Sequence, residues 1–298
     1  MIKKILGRTG LEVTQLGYGA MGIRGPKAWG IRVVSEEEAD RFLNVVLDSG
    51  INFIDTSPDY GISEHRIGRY ISARRSEFYL ATKCGCVYKQ RDDHLELDHV
   101  WKKDVIEKNI QTSLQRLRTD HIDILQFHGG DPETLQREGL IDLLQDFRSQ
   151  GLIRFIGVST ALPHLPAFIE LGVFDTFQIP YSCLEPNHHD LITRAAESGA
   201  GIIIRGGIAK GGPEAEIQRA SLNEIWEKAQ LDDLLNDGIK SAELILRYTL
   251  SHPHCHTTIV GTCNDGHLAE NLAAAESGPL PAPLYNEITT RVTAAVAG

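Results

Sequence analysis

Eight short apolar runs, rich in β-branched residues, alternate with longer amphipathic segments along this 298-residue chain. Such alternation is typical of βα units arranged around a parallel sheet. Eight strands with helices between them favour a closed (β/α)8 TIM barrel over an open doubly wound sheet. We therefore predict a single barrel domain over residues 1–298. The predicted strands are residues 13–19, 51–55, 78–83, 122–128, 153–159, 176–180, 201–205 and 257–261.

Local signals predict where the helices lie. Ser35 followed by Glu38 forms a capping box in front of an apolar-periodic run. Between Asp104 and Leu117, apolar residues recur at helical spacing and form one stripe that can pack on a sheet. Both patterns agree with helices that cover the outside of a barrel.

Several segments depart from the strand and helix pattern. The first is residues 3–13, where two strand-like runs flank Gly7 to Gly10, and it predicts a β-hairpin at the barrel floor. Residues 20–34, 84–98 and 206–238 are too long to be plain connectors, and long segments of this kind are usually functional. All three follow C-terminal strand ends, where barrel enzymes place their chemistry.

Charge and composition limit the classes of partner. A formal net charge of -10 argues against bulk electrostatic binding to nucleic acid or an anionic membrane, although local basic pockets remain open. The five cysteines are odd in number and unpatterned, the N-terminal segment has no apolar core, and no apolar run has transmembrane length. We expect a reduced, soluble, cytoplasmic protein that acts on small molecules.

Three predicted strands end on ionisable residues. Asp55, Lys83 and His128 end the second, third and fourth strands, and Tyr60 follows Asp55 into the next loop. These strands are neighbours in a closed barrel, so the four side chains are expected to meet at one rim. A lysine ammonium in contact with a phenol lowers the phenol pKa, and a carboxylate fixes the lysine. The group is equipped to protonate a carbonyl oxygen.

Other candidate motifs do not meet the requirements of their chemistry. Gly17, Gly19 and Gly22 match G-x-G-x-x-G, but the glycine- and proline-containing segment after Gly22 forbids the helix that a dinucleotide fingerprint needs. The run HPHCH at residues 252–256 lies before the eighth strand, on the stability face of the barrel, and Cys84 and Cys86 have the wrong spacing for a redox pair. The sequence therefore predicts no metal site.

The stretches GRTGLEV, GINFIDTSPDYG, GVST, FQIPYS and GTCNDGHLAEN occur in this order along nearly the whole chain. Together with Asp55, Tyr60, Lys83 and His128, they resemble the aldo-keto reductase family. The resemblance implies that Tyr60 is the general acid/base, Lys83 its pKa-lowering partner, Asp55 the counter-ion of the lysine and His128 the residue that orients the carbonyl. It also implies a nicotinamide cofactor. The implied cofactor-binding residues are Gly19, Ala20, Met21, Ser159, Thr160, Gln178, Arg205, Gly206, Gly207, Ile208, Lys210, Gly261, Thr262, Cys263, His267, Glu270 and Asn271.

The chain departs from the family pattern where the cofactor is expected. Thr160 stands where asparagine is usual, and Arg205 stands where members often have an aromatic residue. Gly261 and His267 occupy positions at which NADP-binding members often carry lysine and arginine. The resemblance makes NADP the first expectation, with NAD as the alternative.

Two other functions remain open from the sequence. Lys83 could form a Schiff base in a lyase, although a nearby Asp55 works against the lowered pKa that such a lysine needs. The chain could also be a non-catalytic nicotinamide-nucleotide sensor. The substrate is expected to contact the long loops, including Trp29, Tyr88 and residues 213–237. Neither the substrate, the direction of reaction nor the oligomeric state follows from the sequence.

Overall fold

A computed structural model describes residues 1–25, 33–91, 94–214, 220–235 and 238–297. Within these ranges the strands are β1 Lys3–Ile5, β2 Glu12–Thr14, β3 Leu16–Gly19, β4 Phe53–Asp55, β5 Tyr79–Cys84, β6 Cys86–Arg91, β7 His94–His99, β8 Ile122–His128, β9 Ile153–Ser159, β10 Thr176–Pro180, β11 Gly201–Arg205 and β12 Thr257–Val260. The α-helices are α1 Glu36–Asp48, α2 Ser63–Tyr70, α3 Lys103–Leu117, α4 Pro132–Arg137, α5 Leu140–Ser149, α6 Leu165–Leu171, α7 His189–Glu197, α8 Ala220–Lys228, α9 Ser241–Ser251, α10 Asp265–Glu276 and α11 Ala282–Ala297.

Eight parallel strands close into a barrel in the order β3, β4, β5, β8, β9, β10, β11 and β12. This confirms the predicted (β/α)8 TIM barrel. Four strands match their predicted bounds to the residue, namely β8, β9, β10 and β11. All eight strands are parallel, so their C-terminal ends meet at one rim.

The predicted first strand, residues 13–19, is divided in the structure. Val13 and Thr14 belong to β2, and the barrel strand β3 begins at Leu16. Gln15 separates the two because its backbone N–H donates to Ile2 O at 2.9 Å while its carbonyl accepts from Thr258 N at 2.9 Å. The run predicted as one strand therefore contributes β2 to the N-terminal two-stranded sheet and β3 to the barrel.

The predicted N-terminal hairpin is present. β1 and β2 are antiparallel, with Lys3 opposite Thr14 and Ile5 opposite Glu12. Leu6 is fully buried between them and packs in one cluster with Phe53 and Ile203 from barrel strands. The hairpin therefore closes the barrel floor with apolar side chains, which leaves the opposite rim for polar ones.

The long segment after β5 folds as a second antiparallel hairpin, of strands β6 and β7. Its base is closed by Val100 N, which donates to Gly85 O at 2.8 Å. The side chain of Asn109 in α3 accepts from Gly85 N at 2.8 Å and donates to Cys86 O at 2.9 Å. We call the strands β6 and β7 together the rim hairpin, because they follow the C-terminal end of a barrel strand.

The helix signals in the sequence are confirmed. Ser35 Oγ accepts from Glu38 N at 3.1 Å, and Glu38 Oε2 accepts from Ser35 N at 2.7 Å, which completes the capping box of α1. In α3 the apolar stripe is buried at Ile106, Ile110 and Leu117. No helix within the described ranges is long and apolar enough to span a membrane.

Helix α2 follows the loop that carries Tyr60, and Gly68 sets its distance from α3. A Cβ atom at this position would lie 2.0 Å from the carbonyl oxygen of Arg116. We expect Gly68→Ala to lower the free energy of unfolding by about 1–3 kcal/mol, since backbone must shift to make room. Thermal unfolding measures this. Gly19→Ala, whose new Cβ would find its nearest atom at 3.7 Å, is the control, and an equal loss in both variants would contradict the expectation.

Candidate active site

An ion pair lies buried at the rim. Lys83 Nζ is 2.7 Å from Asp55 Oδ2, and the two side chains are 0% and 1% exposed. Lys83 Nζ also donates to the carbonyl oxygen of Thr56 at 2.9 Å. Burial alone lowers the pKa of the ammonium, but the charges of Asp55 and Tyr60 outweigh it and the net pKa is raised. Lys83 is therefore a fixed positive charge.

The second oxygen of Asp55 accepts two amide hydrogen bonds. Gln126 Nε2 lies 3.0 Å from Asp55 Oδ1, and Gln178 Nε2 lies 2.8 Å from the same atom. With both oxygens bonded, this carboxylate is a counter-ion and not a free acid. Gln126 was missed by sequence reasoning. Its signal was available, because residues 126 and 128 of one strand face the same side.

Tyr60 lies against this pair. Lys83 Nζ is 5.0 Å from the centroid of the Tyr60 ring. Burial raises the pKa of the Tyr60 phenol, and this outweighs the attraction of Lys83, which lowers it as the sequence predicted. The net lowering expected from the sequence is therefore not found in this structure, because desolvation is the larger effect. A phenol with a raised pKa keeps its proton at neutral pH and can act as a proton donor.

His128 stands beside Tyr60 in an edge-to-face arrangement. The two ring centroids are 6.4 Å apart, and the rings are inclined at 83°. Burial, and then the charge of Lys83, lower the pKa of the His128 imidazole well below its ordinary value. A neutral imidazole can hydrogen-bond a carbonyl oxygen without adding a net charge to the site.

The rim hairpin holds the loop that carries Tyr60. The hydroxyl of Tyr88 donates to the carbonyl oxygen of Asp59. It also accepts from Gly61 N at 3.1 Å, so the backbone on both sides of Tyr60 is fixed by one side chain. Tyr88 was expected to shape the substrate pocket. In the structure it holds the loop that carries Tyr60, a contact that no sequence pattern signalled.

The residues assigned to the nicotinamide lie on adjacent strand ends. Ser159 and Gln178 are direct partners in the register of β9 and β10, and Ser159 Oγ donates to Gln178 Oε1 at 3.0 Å. Gln178 also donates to Asp55, which links this position to the Asp55–Lys83 ion pair. Thr160 follows at once and is 6% exposed. Hydroxyl and amide groups in this arrangement are suitable partners for a carboxamide.

The segment after β11 begins with Arg205 and continues through Gly206, Gly207 and Ile208. Gly206 has a φ of 74°, which glycine adopts readily. A Cβ atom on Gly207 would lie 2.2 Å from Thr258 Oγ1, so the backbone packs directly on β12. Without side chains at positions 206 and 207 a phosphate could approach the backbone closely, and this role stays a prediction. The side chain of Lys210 lies outside the described residues.

The segment after β12 meets the segment after β3. Val260 is the partner of Tyr18, and a Cβ atom on Gly261 would lie 3.3 Å from Gly19 O. Ala20 and Met21 continue from Gly19 into a short 3-10 turn, and Thr262 and Cys263 continue from Gly261. The two glycines thus allow two predicted cofactor-binding segments to run side by side.

Helix α10 begins at this place with a capped N-terminus. Asn264 Oδ1 accepts from His267 N at 3.1 Å. Glu270 is ion-paired with Lys240 at 2.6 Å, and Asn271 is 7% exposed. A cavity of about 350 Å³ opens in front of the helix and is lined by Val33, Val34, Glu38, Cys263, Asn264, Asp265 and Gly266. The helix N-terminus favours a phosphate group here.

All predicted site residues within the described ranges lie at or beyond the C-terminal ends of the barrel strands. The structure brings Asp55, Tyr60, Lys83 and His128 together, and it lines the cofactor residues along the rim from β3 to β9 through β12. Trp29 lies outside the described residues, as do residues 215–219 and 236–237 of the third long segment. The roles of these residues stay predictions.

Comparison with known proteins identifies the family. The model of the Aldo/keto reductase family matches residues 15–291. The chain belongs to this family. It is therefore an oxidoreductase of carbonyl compounds that uses a nicotinamide cofactor, as the resemblance in its sequence implied.

Individual members of the family support this assignment along the whole chain. L-galactose dehydrogenase from Arabidopsis thaliana is 31% identical over 294 residues, which cover 91% of this chain and 87% of that protein. The NADH-specific methylglyoxal reductase of Escherichia coli is 27% identical, with 76% of this chain and 75% of that protein covered. The holo form of an aldo-keto reductase from Bacillus halodurans superposes with a TM-score of 0.84 at 28% identity, covering 98% of this chain and 96% of that one.

Proposed function

We propose that this aldo/keto reductase interconverts a carbonyl compound and its alcohol with Tyr60 as the general acid/base. The supporting observation is the buried Asp55–Lys83 pair with its ammonium 5.0 Å from the centroid of the Tyr60 ring. A nicotinamide, when bound, supplies or accepts the hydride. The protein's own part is to hold the carbonyl oxygen and to move one proton.

The proton step follows from the charges at the rim. Tyr60 holds a phenolic proton that it can give to the carbonyl oxygen as that oxygen gains negative charge. Lys83 then stabilises the phenolate, and Asp55 balances the lysine. A neutral His128 directs the carbonyl oxygen towards Tyr60 by a hydrogen bond. In the alcohol-oxidising direction the same groups act in reverse.

The residues along the rim are suited to a dinucleotide. Ser159 and Gln178 would hold the carboxamide, and the backbone at Gly206 and Gly207 would face the diphosphate. The N-terminus of α10 and the adjoining cavity of about 350 Å³ would take the adenosine end. This arrangement uses every strand end from β9 to β3.

We propose further that the cofactor is NAD(H), in place of the NADP that the resemblance first favours. Glu38 and Asp265 line the cavity, and a 2′-phosphate would bring two more negative charges beside them. Gly261 and His267 replace the lysine and arginine of NADP-binding members, and the Arg41 guanidinium is already paired with Asp265 at 2.9 Å. A family relative is named as NADH-specific, which agrees with this choice.

We expect the protein to bind NADH at least about tenfold more tightly than NADPH, a difference of ~1.4 kcal/mol. Titration by quenching of tryptophan fluorescence measures both affinities. Glu38→Gln retains an oxygen that can accept from Ser35 N in the capping box. Because it removes one carboxylate from the cavity, this variant should bring the dissociation constants for NADPH and NADH closer together. Tighter binding of NADPH by the unaltered protein would overturn the choice of NAD.

Two alternatives from the sequence can be separated by experiment. A Schiff-base lyase needs an uncharged lysine, whereas Lys83 is buried, ion-paired and has a raised pKa. Treatment with borohydride in the presence of carbonyl substrates should leave Lys83 unmodified. Turnover of a panel of aldehydes, ketones and aldoses, followed by the absorbance of the reduced nicotinamide, should be measurable. Tight cofactor binding with no turnover across the panel would instead indicate a sensor.

A further inference from the structure

A second group of reactive side chains shares His128 with the four residues proposed for catalysis. It consists of Asp59, Cys86, His99 and His128, whose potential ligand atoms all lie within 4.8 Å of one another. His128 Nδ1 is 3.3 Å from Cys86 Sγ and 3.4 Å from Asp59 Oδ2. We call these four residues the rim cluster. The reaction proposed above uses only His128.

The rim hairpin explains how these residues meet. Cys86 and His99 are direct cross-strand partners in the register of β6 and β7. Such partners have Cβ atoms about 4.5–5.5 Å apart on one face of the ladder. The indole ring of Trp101 stacks on His99, with centroids 6.0 Å apart and planes inclined at 14°. The hairpin thus presents a thiol and an imidazole together to the barrel rim.

Two polar atoms in the rim cluster lack a partner. Asp59 Oδ1 and His99 Nε2 are buried and accept or donate no hydrogen bond within the described part of the chain. Asp59 is 3% exposed and Cys86 is 4% exposed. Buried polar groups are normally satisfied, because burial without a partner costs about 1–3 kcal/mol by mutational measures. A ligand bound between Asp59 and His99 would therefore give both of these buried atoms a partner.

The donor set matches one class of ligand. Thiolate, imidazole and carboxylate are the groups that hold Zn²⁺ in proteins, usually four together in a tetrahedron. Zinc bonds of about 2.0–2.3 Å place the ligand atoms roughly 3.3–3.6 Å from one another. The Cys86–His128 and Asp59–His128 distances of 3.3 and 3.4 Å already agree with that geometry.

We propose that Asp59, Cys86, His99 and His128 bind one divalent metal ion of the zinc type. Binding forms four bonds from the protein to the metal and releases the Cys86 thiol proton to solvent, with no change of oxidation state. The ion accepts the lone pairs of the unpartnered atoms of Asp59 and His99, and it links the rim hairpin to the loop of Tyr60. It also contacts His128 through Nδ1, the ring nitrogen nearest to Cys86 and Asp59.

Metal ligation would fix the tautomer of His128. The nitrogen that faces Asp59 and Cys86 is Nδ1, so a metal there keeps the remaining proton of the neutral ring on Nε2. Nε2–H is the donor that a carbonyl oxygen needs. This consequence rests on the proposed function, whereas the metal site does not depend on it.

Titration of the untagged full chain with Co²⁺, without cofactor or carbonyl compound, tests the site. We expect one Co²⁺ per chain, with the visible bands of a tetrahedral ion and a thiolate-to-cobalt charge-transfer band. Cys86→Ser should abolish the charge-transfer band and weaken binding at least about tenfold, the effect of losing even an outer partner of a metal ligand. Cys255→Ser removes a buried thiol from the histidine-rich run at the other face and should change nothing.

A second measurement covers the case in which the Cys86 variant folds poorly. His99→Gln keeps the thiol, so it should retain a charge-transfer band but bind Co²⁺ at least about tenfold more weakly. Zn²⁺ should raise the thermal midpoint of the unaltered chain by mass action, and less in His99→Gln. Absence of stoichiometric Co²⁺ binding, or a charge-transfer band that persists in Cys86→Ser, would overturn the proposal. Neither result depends on whether the protein reduces carbonyls.

Discussion

Tyr60→Phe is expected to lower kcat by about 10²–10⁴-fold, the usual contribution of a positioned general acid. The substitution removes the phenolic oxygen that gives the proton, and it leaves the ring that packs beside His128 and Lys83. The nicotinamide is assigned to Ser159, Gln178 and the turns after β11 and β12. Cofactor affinity should therefore change by less than about twofold, or ~0.4 kcal/mol.

Steady-state kinetics with one reducible aldehyde, together with a cofactor titration, measures both quantities. Tyr70→Phe is a matched control, since the Tyr70 hydroxyl donates to Glu36 Oε2 at 2.5 Å, away from the four catalytic side chains. Activity of the Tyr60 variant equal to that of the Tyr70 variant would rule out the proposed acid. A large loss of cofactor affinity instead would assign Tyr60 to binding.

Asp55→Asn is expected to lower the free energy of unfolding by about 3–5 kcal/mol, the cost of removing one partner from a buried ion pair. The Lys83 ammonium is 0% exposed and would lose its counter-ion. An amide at position 55 also cannot accept from Lys83 and both glutamines with its two heteroatoms, because its nitrogen is a donor. Denaturant unfolding gives the change in free energy.

A double variant separates the charge effect from simple damage. Adding Lys83→Met to Asp55→Asn removes the unpaired ammonium, so most of the lost stability should return. Glu12→Ala, which breaks the exposed pair with Lys3, should change stability by no more than about 0.5–1 kcal/mol. If Asp55→Asn lowered the free energy of unfolding no more than Glu12→Ala does, the buried ion pair would not be what stabilises this rim.

The barrel could be predicted because its information is local. Each strand is a short β-rich run, and Asp55, Lys83 and His128 could be placed at the rim because the second, third and fourth barrel strands were predicted with C-terminal ends correct to within one residue. The first strand was misjudged because Val13 and Thr14 are as apolar and β-prone as the residues after them. Only the hydrogen bonds of Gln15 with Ile2 and Thr258 show that β2 ends before Gln15 and the barrel strand β3 begins after it.

Other parts of the site depend on distances that no local pattern contains. Asp59 and His99 are 40 positions apart, as numbered in the sequence, and their meeting depends on the register of the rim hairpin. The pKa of Tyr60 was expected to fall because Lys83 is near. It rises because the depth of burial, which a sequence does not give, has the larger effect. Tyr88 likewise acts through a hydrogen bond to a distant backbone.

The rim hairpin leaves and rejoins the barrel at almost the same point, since Val100 N bonds Gly85 O across its base. It is therefore an insert that a protein engineer could exchange or shorten as one cassette between β5 and α3. Such an exchange would alter the support of Tyr60 and His128 while every barrel strand kept its sequence. Variation in the rim hairpin alone is thus a route by which an unchanged barrel could acquire a different catalytic rate.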